Sequence, residues 1–278
     1  MELGWLESIL FGFLSGLTDI LPVSSQAHKL LLLKLFGAGK EPNLLKLLIH
    51  IGIFAAIYYN YSAHIIRFIR AKRLSRIPKR KRKRPLDTKS LMDYSLLKTM
   101  LIPVILALFV YRKAAALSEN LILVACFLLI NGIILYVPQF LPGSNKDSRM
   151  LSRLEGLLMG LGGAVSILPG ISAIGSAASV GAACGVDRDY GLNMAMLLNL
   201  GLLLGVIVLD IIGAFTLGFG YVTFLIFVQY LLAALGAFGG AFLGITLLKH
   251  IVTNNGFGPF ALYCWGLALF TFVLNLIA

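Results

Sequence analysis

Long apolar stretches follow one another along the chain and are separated by short polar connections. They lie at about 8–36, 44–66, 95–111, 120–141, 156–185, 191–217, 219–248 and 257–277. About 20 consecutive apolar residues suffice for an α-helix to cross the hydrocarbon core of a membrane. The pattern therefore predicts an all-α polytopic membrane protein with roughly eight membrane-embedded segments, in one domain over residues 1–278.

The composition excludes several other classes of protein. Of the 278 residues, 59% are hydrophobic and 13% are charged, and the mean hydropathy is +0.90. Soluble domains average about 25% charged residues. An ordinary soluble enzyme, a disordered chain and a fibrous protein are therefore not expected.

The formal net charge of +12 comes almost entirely from one loop. Residues 67–98 contain 13 Lys and Arg against Asp87 and Asp93. A basic loop between two membrane spans stays on the cytoplasmic side, where it can contact anionic membrane lipids. The run at 79–84 has no interleaved aromatic residues for base stacking, so we expect no nucleic-acid partner.

Two of the apolar runs contain the same interruption. The sequence I-L-P-V-S-S at 20–25 matches I-L-P-G-I-S at 167–172. This internal repeat predicts two related halves, at about 1–113 and 119–278, each with a broken or re-entrant helix. The alternative is a pair of proline kinks that only shape packing.

Broken helices at membrane depth indicate a binding site, because unpaired backbone groups are tolerated only inside protein or in a watery cavity. The N-terminus of a half-helix favours anions. Ser25 and His28 are three residues apart, so on a helix they share a face and could form an activated-nucleophile pair. Alternatively, both side chains only bond neighbouring helices.

The two interrupted segments resemble the signatures of a known family. The sequence G-L-T-D-I-L-P-V-S-S-Q-A-H at 16–28 resembles the first signature of the undecaprenyl-diphosphate phosphatase, or bacitracin-resistance, family, roughly E-G-x-T-E-F-L-P-[VI]-S-S-[TS]-[GA]-H. The sequence P-G-I-S-A-I-G at 169–175 resembles the second, P-G-x-S-R-S-G. The length, the layout of apolar runs and the repeat are similar to the family too.

The resemblance implies an inverted repeat with re-entrant helix pairs in a multi-pass protein of the bacterial plasma membrane. It implies hydrolysis of a polyprenyl diphosphate lipid to its monophosphate on the outer side. This reaction recycles the lipid carrier of peptidoglycan synthesis and would be aided by a divalent cation, Mg²⁺ or Ca²⁺. A homodimer is compatible with it.

The resemblance also assigns site residues. Ser25 matches a serine that attacks or contacts phosphate, and His28 matches a possible general acid/base. Phosphate-binding positions match Ser24, Gly170 and Ser172. Asp19 matches an acid that helps to hold the cation. The apolar setting of Asp19 independently makes it a functional candidate, with helix capping as the alternative.

Two departures keep a second function open. Ser15 stands where the family has a glutamate, and Ala173 stands where it has a phosphate-binding arginine. A diphosphate needs positive charge for binding and transfer, which Lys29, Lys46 or Arg188 could supply. The alternative is a non-catalytic polyprenyl-phosphate transporter or binding protein on the same scaffold.

Asp210 lies inside the apolar run at 191–217, where a carboxylate usually faces the interior or water. It could be a proton or cation site, or an acid near the membrane interface.

Overall fold

The computed structural model describes residues 4–142, 145–218 and 222–277, and almost all of its regular structure is helical. Within those ranges an isolated bridge between Lys146 and Val186 is the one β-type pairing. The α-helices are α1 Trp5–Ile20, α2 Ser25–Leu35, α3 Asn43–Ser75, α4 Thr88–Leu108, α5 Tyr111–Ala115, α6 Leu121–Tyr136, α7 Arg153–Ala164, α8 Ala173–Ala183, α9 Arg188–Leu217, α10 Phe224–Asn255 and α11 Gly258–Ile277.

Six of the described helices are long and apolar enough to cross a membrane, namely α3, α4, α6 with the 3-10 turn that follows it, α9, α10 and α11. The predicted all-α polytopic membrane fold is confirmed. The first and fifth apolar runs fold differently, because each is divided into two short helices. These pairs are α1 with α2 and α7 with α8, and they are the two predicted broken segments.

The packing of the helices follows the internal repeat. Helix α1 packs along α10, and its counterpart α7 packs along α4, the counterpart of α10. In the same way α3 packs on α10, and α9 packs on α4. Three spanning helices, α3, α4 and α6, separate the two broken pairs. An odd number of crossings means that the pairs enter from opposite sides, which makes the repeat inverted.

Glycines allow α1 and α10 to approach until their main chains touch. A Cβ atom at Gly12 or Gly16 would overlap the carbonyl oxygen of Ala233 or Ala237, and one at Gly240 would overlap that of Phe13. Small residues permit such close contact between membrane helices. The glycine-rich stretch at 236–244 is therefore a packing surface, as its composition predicts.

Polar contacts gather the loops at the two ends of the bundle. Lys40 and Glu119 form an ion pair at 2.6 Å, which joins the loops before α3 and α6. At the other end, Asp93 accepts hydrogen bonds from Ser148 and Tyr190. The cytoplasmic position of the basic loop at 67–98 remains a prediction.

Candidate functional site

A cavity of about 460 Å³ lies where the two broken helix pairs meet. Its wall combines the end of α1, the outer face of α2, the start of α3, α5, the start of α8 and the middle of α9. The polar residues facing it are Thr18, Asp19, Ser25, Gln26, Lys29, Lys34, Lys40, Glu41, Lys46, His50, Tyr111, Ser118, Glu119, Ser166, Ser172 and Asn199.

The first break is built around Pro22. A residue that precedes a proline disfavours the helical conformation, and α1 accordingly ends at Ile20. Ser24 then has a φ of 67°, the one positive φ among non-glycine residues in the described ranges. Its hydroxyl accepts from the Ala27 amide at 3.5 Å and caps α2. The break thus places Ser25 at the first turn of α2, facing the cavity.

The second break uses a different residue for its turn. Gly170 has a φ of 125°, and a Cβ there would lie 2.6 Å from the Cβ of Phe127. Ser172 caps α8 by accepting from the Gly175 amide at 3.2 Å. Ser172 faces the cavity, whereas Ser24 and Gly170 are not among its lining residues. Those two residues therefore shape the breaks from behind the cavity wall.

Asn131 connects the two breaks. Its Nδ2 donates to the Pro22 carbonyl at 3.0 Å, and its Oδ1 accepts from the Ser172 amide at 3.0 Å. The residue is fully buried in α6. Asn131 is not among the site residues predicted from the sequence, although an asparagine inside an apolar run is a typical interhelical hydrogen-bonding residue.

Ser25 forms its hydrogen bond with Asp19 across the first break. The Ser25 Oγ donates to the Asp19 Oδ1 at 2.9 Å. Asn199 of α9 donates from Nδ2 to the other carboxylate oxygen at 3.3 Å. The side chain of Asn199 is buried, so it holds the carboxylate in place. Asn199 is therefore an interhelical hydrogen-bonding residue, as is typical of an asparagine within an apolar helix.

His28 is not hydrogen-bonded to Ser25, in contrast to the pair that their spacing allows. Its Nδ1 lies 2.8 Å from the Ser24 carbonyl, and its Nε2 lies 2.8 Å from the Tyr263 hydroxyl. The two rings are stacked with centroids 5.7 Å apart. The Ser24 carbonyl thus accepts two hydrogen bonds from His28, one from the ring at 2.8 Å and a longer one from the main-chain amide at 3.4 Å. His28 therefore lies outside the cavity lining.

Charged side chains of α2, the loop before α3, α3 and α9 form a network along one wall of the cavity, and Asp210 lies behind the lining residues. Asp210 pairs with Lys46 at 3.0 Å and with the Nδ1 of His50 at 2.6 Å. The His50 Nε2 accepts from Lys29 at 3.4 Å. The Lys29 ammonium also lies 3.5 Å from Glu41. Asp210 thus faces the interior of the bundle, where it is paired with Lys46 and His50. A role as a proton or cation site remains a prediction.

The mouth of the cavity carries the exposed ion pair between Lys40 and Glu119. The hydrogen bond from Lys40 lowers the pKa of Glu119 and raises the pKa of Lys40. Arg188, the third cationic candidate, lies elsewhere. It borders a separate pocket with Pro138 and Thr253 and forms no ion pair within the described ranges.

The donor set of the cavity does not fit a resident divalent cation. Mg²⁺ and Ca²⁺ need several oxygen ligands, usually including carboxylates. Both oxygens of Asp19 already accept hydrogen bonds. Among the residues described, no three His, Cys, Asp or Glu side chains are grouped so that they could hold a metal ion. A cation-binding role for Asp19 remains a prediction of the resemblance.

Comparison with known proteins covers almost the whole chain. Residues 8–270 match the family described as "Bacitracin resistance protein BacA". An undecaprenyl-diphosphatase of Methanobrevibacter smithii is 29% identical over 96% of both chains. One of Desulfatibacillum aliphaticivorans is 27% identical over 98% of this chain and 99% of its own. One of Halothermothrix orenii is 26% identical over 96% of both.

Proposed function

Because the chain belongs to the bacitracin resistance protein BacA family, we propose that it hydrolyses a polyprenyl diphosphate lipid, of the undecaprenyl kind, to the monophosphate. Relatives that match this chain from end to end carry the name undecaprenyl-diphosphatase. The six long apolar helices make it a multi-pass membrane protein, for which the bacterial plasma membrane fits the family. A membrane-embedded cavity suits a substrate whose tail stays in the lipid.

The observation that carries the proposal is the hydrogen bond from Ser25 to Asp19 inside this cavity. A serine hydroxyl becomes an effective nucleophile when an adjacent base accepts its proton. Hydrogen-bond contact with the proton acceptor is the first geometric requirement for such a pair. Asn199 keeps the carboxylate oriented from the opposite side.

In the proposed reaction, Ser25 attacks the terminal phosphorus of the diphosphate. A bond forms between the Ser25 Oγ and phosphorus, and the anhydride bond to the lipid phosphate breaks. The serine proton moves to Asp19, and the lipid monophosphate leaves. Water then attacks the phosphoserine, Asp19 returns its proton to the Ser25 Oγ, and inorganic phosphate leaves as dihydrogen phosphate with both hydrogens of the water.

The two helix N-termini support phosphate binding in the same place. Ser25 opens α2, and Ser172 caps α8, and both residues face the cavity. Backbone amides at a helix N-terminus and the helix dipole favour anions. Ser172 would donate its hydroxyl or lie beside amides that bind a phosphate oxygen.

A non-catalytic transporter would need the cavity but not the hydroxyl–carboxylate pair. The Ser25–Asp19 contact therefore favours hydrolysis over binding alone. We assign His28 a positioning role, because its ring holds the carbonyl of Ser24 next to the nucleophile.

Phosphate release from a polyprenyl diphosphate by purified protein tests this proposal. Ser25→Ala and Asp19→Asn should each lower kcat by about 10³-fold, because they remove the nucleophile or its base. Ser118→Ala is the matched control, since Ser118 lines the same cavity but bonds the Ala115 carbonyl. We expect this variant to stay within about threefold of the native rate.

Acid-quenched protein should contain phosphorylated Ser25, and Ser25→Ala should contain none. Full activity in both Ser25→Ala and Asp19→Asn would contradict the assignment. Binding of the lipid without phosphate release from the native protein would favour the transporter.

A further inference from the structure

Lys29 is a buried lysine that faces the cavity. It lies on α2, and 7% of the residue is exposed. Burying an ammonium group is unfavourable unless other charges and hydrogen bonds compensate. The Lys29 ammonium therefore needs anionic or hydrogen-bonding partners inside the protein, and the lengths of its contacts show how strongly it is held.

The partners of Lys29 hold it only loosely. The ammonium lies 3.5 Å from the Glu41 Oε1 and 3.4 Å from the His50 Nε2. Hydrogen bonds between charged groups are typically about 2.7–2.9 Å long. The buried Glu41 Oε1 forms no hydrogen bond, so its contact with Lys29 is an ion pair alone. An ammonium has three donors, and neither of these neighbours lies within the usual distance of a charged hydrogen bond.

Lys46, the partly buried lysine of the same wall, is fully engaged. Lys46 lies 3.0 Å from Asp210, and its ammonium stands 5.2 Å from the centre of the Tyr111 ring. Asp210 also holds His50. Lys46 therefore stabilises the wall, whereas Lys29 has unused capacity to bind an anion.

Lys29 and Ser25 lie four residues apart on α2 and face the same cavity. Side chains at this spacing on a helix are neighbours, with Cβ atoms about 5–6 Å apart. The long stem of the lysine extends its reach further. A phosphoryl group that contacts the Ser25 hydroxyl would consequently be within range of the Lys29 ammonium.

We propose that Lys29 binds the diphosphate beside Ser25 and supplies the positive charge for the reaction, so that hydrolysis proceeds without a protein-bound divalent cation. The substrate replaces the loose contact with Glu41, and phosphate oxygens satisfy the ammonium. This inference rests on the proposed function for its substrate class. Its physical basis is that the carboxylates lining the cavity are already engaged. Both oxygens of Asp19 accept hydrogen bonds, Glu41 pairs with Lys29 and Glu119 pairs with Lys40. Among the residues described they form no group that could hold a metal ion.

The test measures hydrolysis and binding of undecaprenyl diphosphate in detergent, in EDTA and in Mg²⁺. In EDTA the native protein should keep its rate within about twofold. Lys29→Met, which removes the charge but keeps the length, should raise KM and the dissociation constant by at least about tenfold. Lys29→Arg should restore most of the affinity. Lys113→Met is the control, because Lys113 is exposed and lies outside the cavity lining.

Glu41→Gln is a second variant, which we expect to increase the affinity for the diphosphate. It removes the competing charge from Lys29, and we expect tighter binding of the diphosphate by about threefold or more. A purely structural role for the Lys29–Glu41 pair would give weaker binding instead. This arm remains informative if Lys29→Met does not fold.

The outcomes separate this inference from the proposed function. Loss of native activity in EDTA with recovery in Mg²⁺ would overturn the inference and leave the phosphatase assignment intact. Unchanged affinity in Lys29→Met would overturn it as well. If the native protein releases no phosphate under either condition, the proposed function fails. A tenfold weaker binding of the diphosphate by Lys29→Met would still support Lys29 as its binding group.

Discussion

Gly175 lies directly against Pro22, so the two broken segments are in contact at their turns. A Cβ atom on Gly175 would lie 2.6 Å from the Cβ of Pro22 and 2.7 Å from a methyl carbon of Leu135. The proline ring is rigid, so it cannot move aside as a flexible side chain would. The contact therefore fixes the separation between the start of α8 and the turn before α2.

Gly175→Ala should destabilise the protein by about 1–3 kcal/mol, because an added methyl group overpacks this contact. Thermal unfolding in detergent measures the effect. Gly266→Ala is the control, since a Cβ there meets no atom within 4 Å. In a helix that change should be neutral or slightly stabilising. Equal transition temperatures for Gly175→Ala and the native chain would show that the turns are not tightly packed.

Asn131→Ala should lower the free energy of unfolding by about 2–4 kcal/mol. It leaves the Ser172 amide buried without its partner, and such a group costs about 1–3 kcal/mol. The Pro22 carbonyl keeps only the weak hydrogen bond from the Cys264 thiol, and the lost side chain leaves a cavity, which adds to the cost. Asn60→Ala serves for comparison, because Asn60 only bonds the Ala56 carbonyl of its own helix. A similar, small loss in both variants would argue against the bridging role of Asn131.

His28→Asn should retain more activity than His28→Ala or His28→Gln. The amide nitrogen of asparagine can take the place of Nδ1 and donate to the Ser24 carbonyl, whereas glutamine reaches the position of Nε2. If His28 is instead a general acid/base, all three variants should lose activity equally. Steady-state rates for the three variants, together with their unfolding temperatures, decide between the two roles.

The Lys46–Asp210 pair should show coupling in a double-mutant cycle. Asp210→Asn leaves a largely buried ammonium unpaired, and we expect a loss of about 1–3 kcal/mol, because Lys46 retains 27% side-chain exposure. Lys46→Met combined with Asp210→Asn should lose less than the sum of these two single changes. The exposed pair of Lys40 and Glu119 should give no measurable coupling in the same assay. Additive losses at Lys46 and Asp210 would contradict the prediction.

A cysteine at Lys83 should resist an impermeant thiol reagent in intact cells and react after permeabilisation. The reason is that the loop at 67–98 contains 13 Lys and Arg, and we expect such a basic loop to stay on the cytoplasmic side. A cysteine at Lys113 should react in intact cells. Both variants require replacement of the three native cysteines. The opposite labelling pattern would show that the loop at 67–98 lies outside the cell and that the predicted topology is wrong.

The sequence predicts the helices and the two breaks well, because their signals are local. Apolar runs fix the spans, and the repeated proline motif places the interruptions. Spacing along α2 could not reveal the direction of His28, since its partner Tyr263 is 235 residues away. For the same reason the pairing of Asp210 with Lys46 was open, because α3 and α9 meet only in the folded chain.

Contact between the main chains of α1 and α10 has a mechanical consequence. No flexible side chain separates the two main chains along this glycine seam. We therefore expect α1 and α10 to move together as one rigid unit. Asp19 lies one residue before the end of α1, so the same contact also sets the position of its carboxylate relative to α10. A change in the glycine seam would therefore be felt at the hydrogen bond between Ser25 and Asp19.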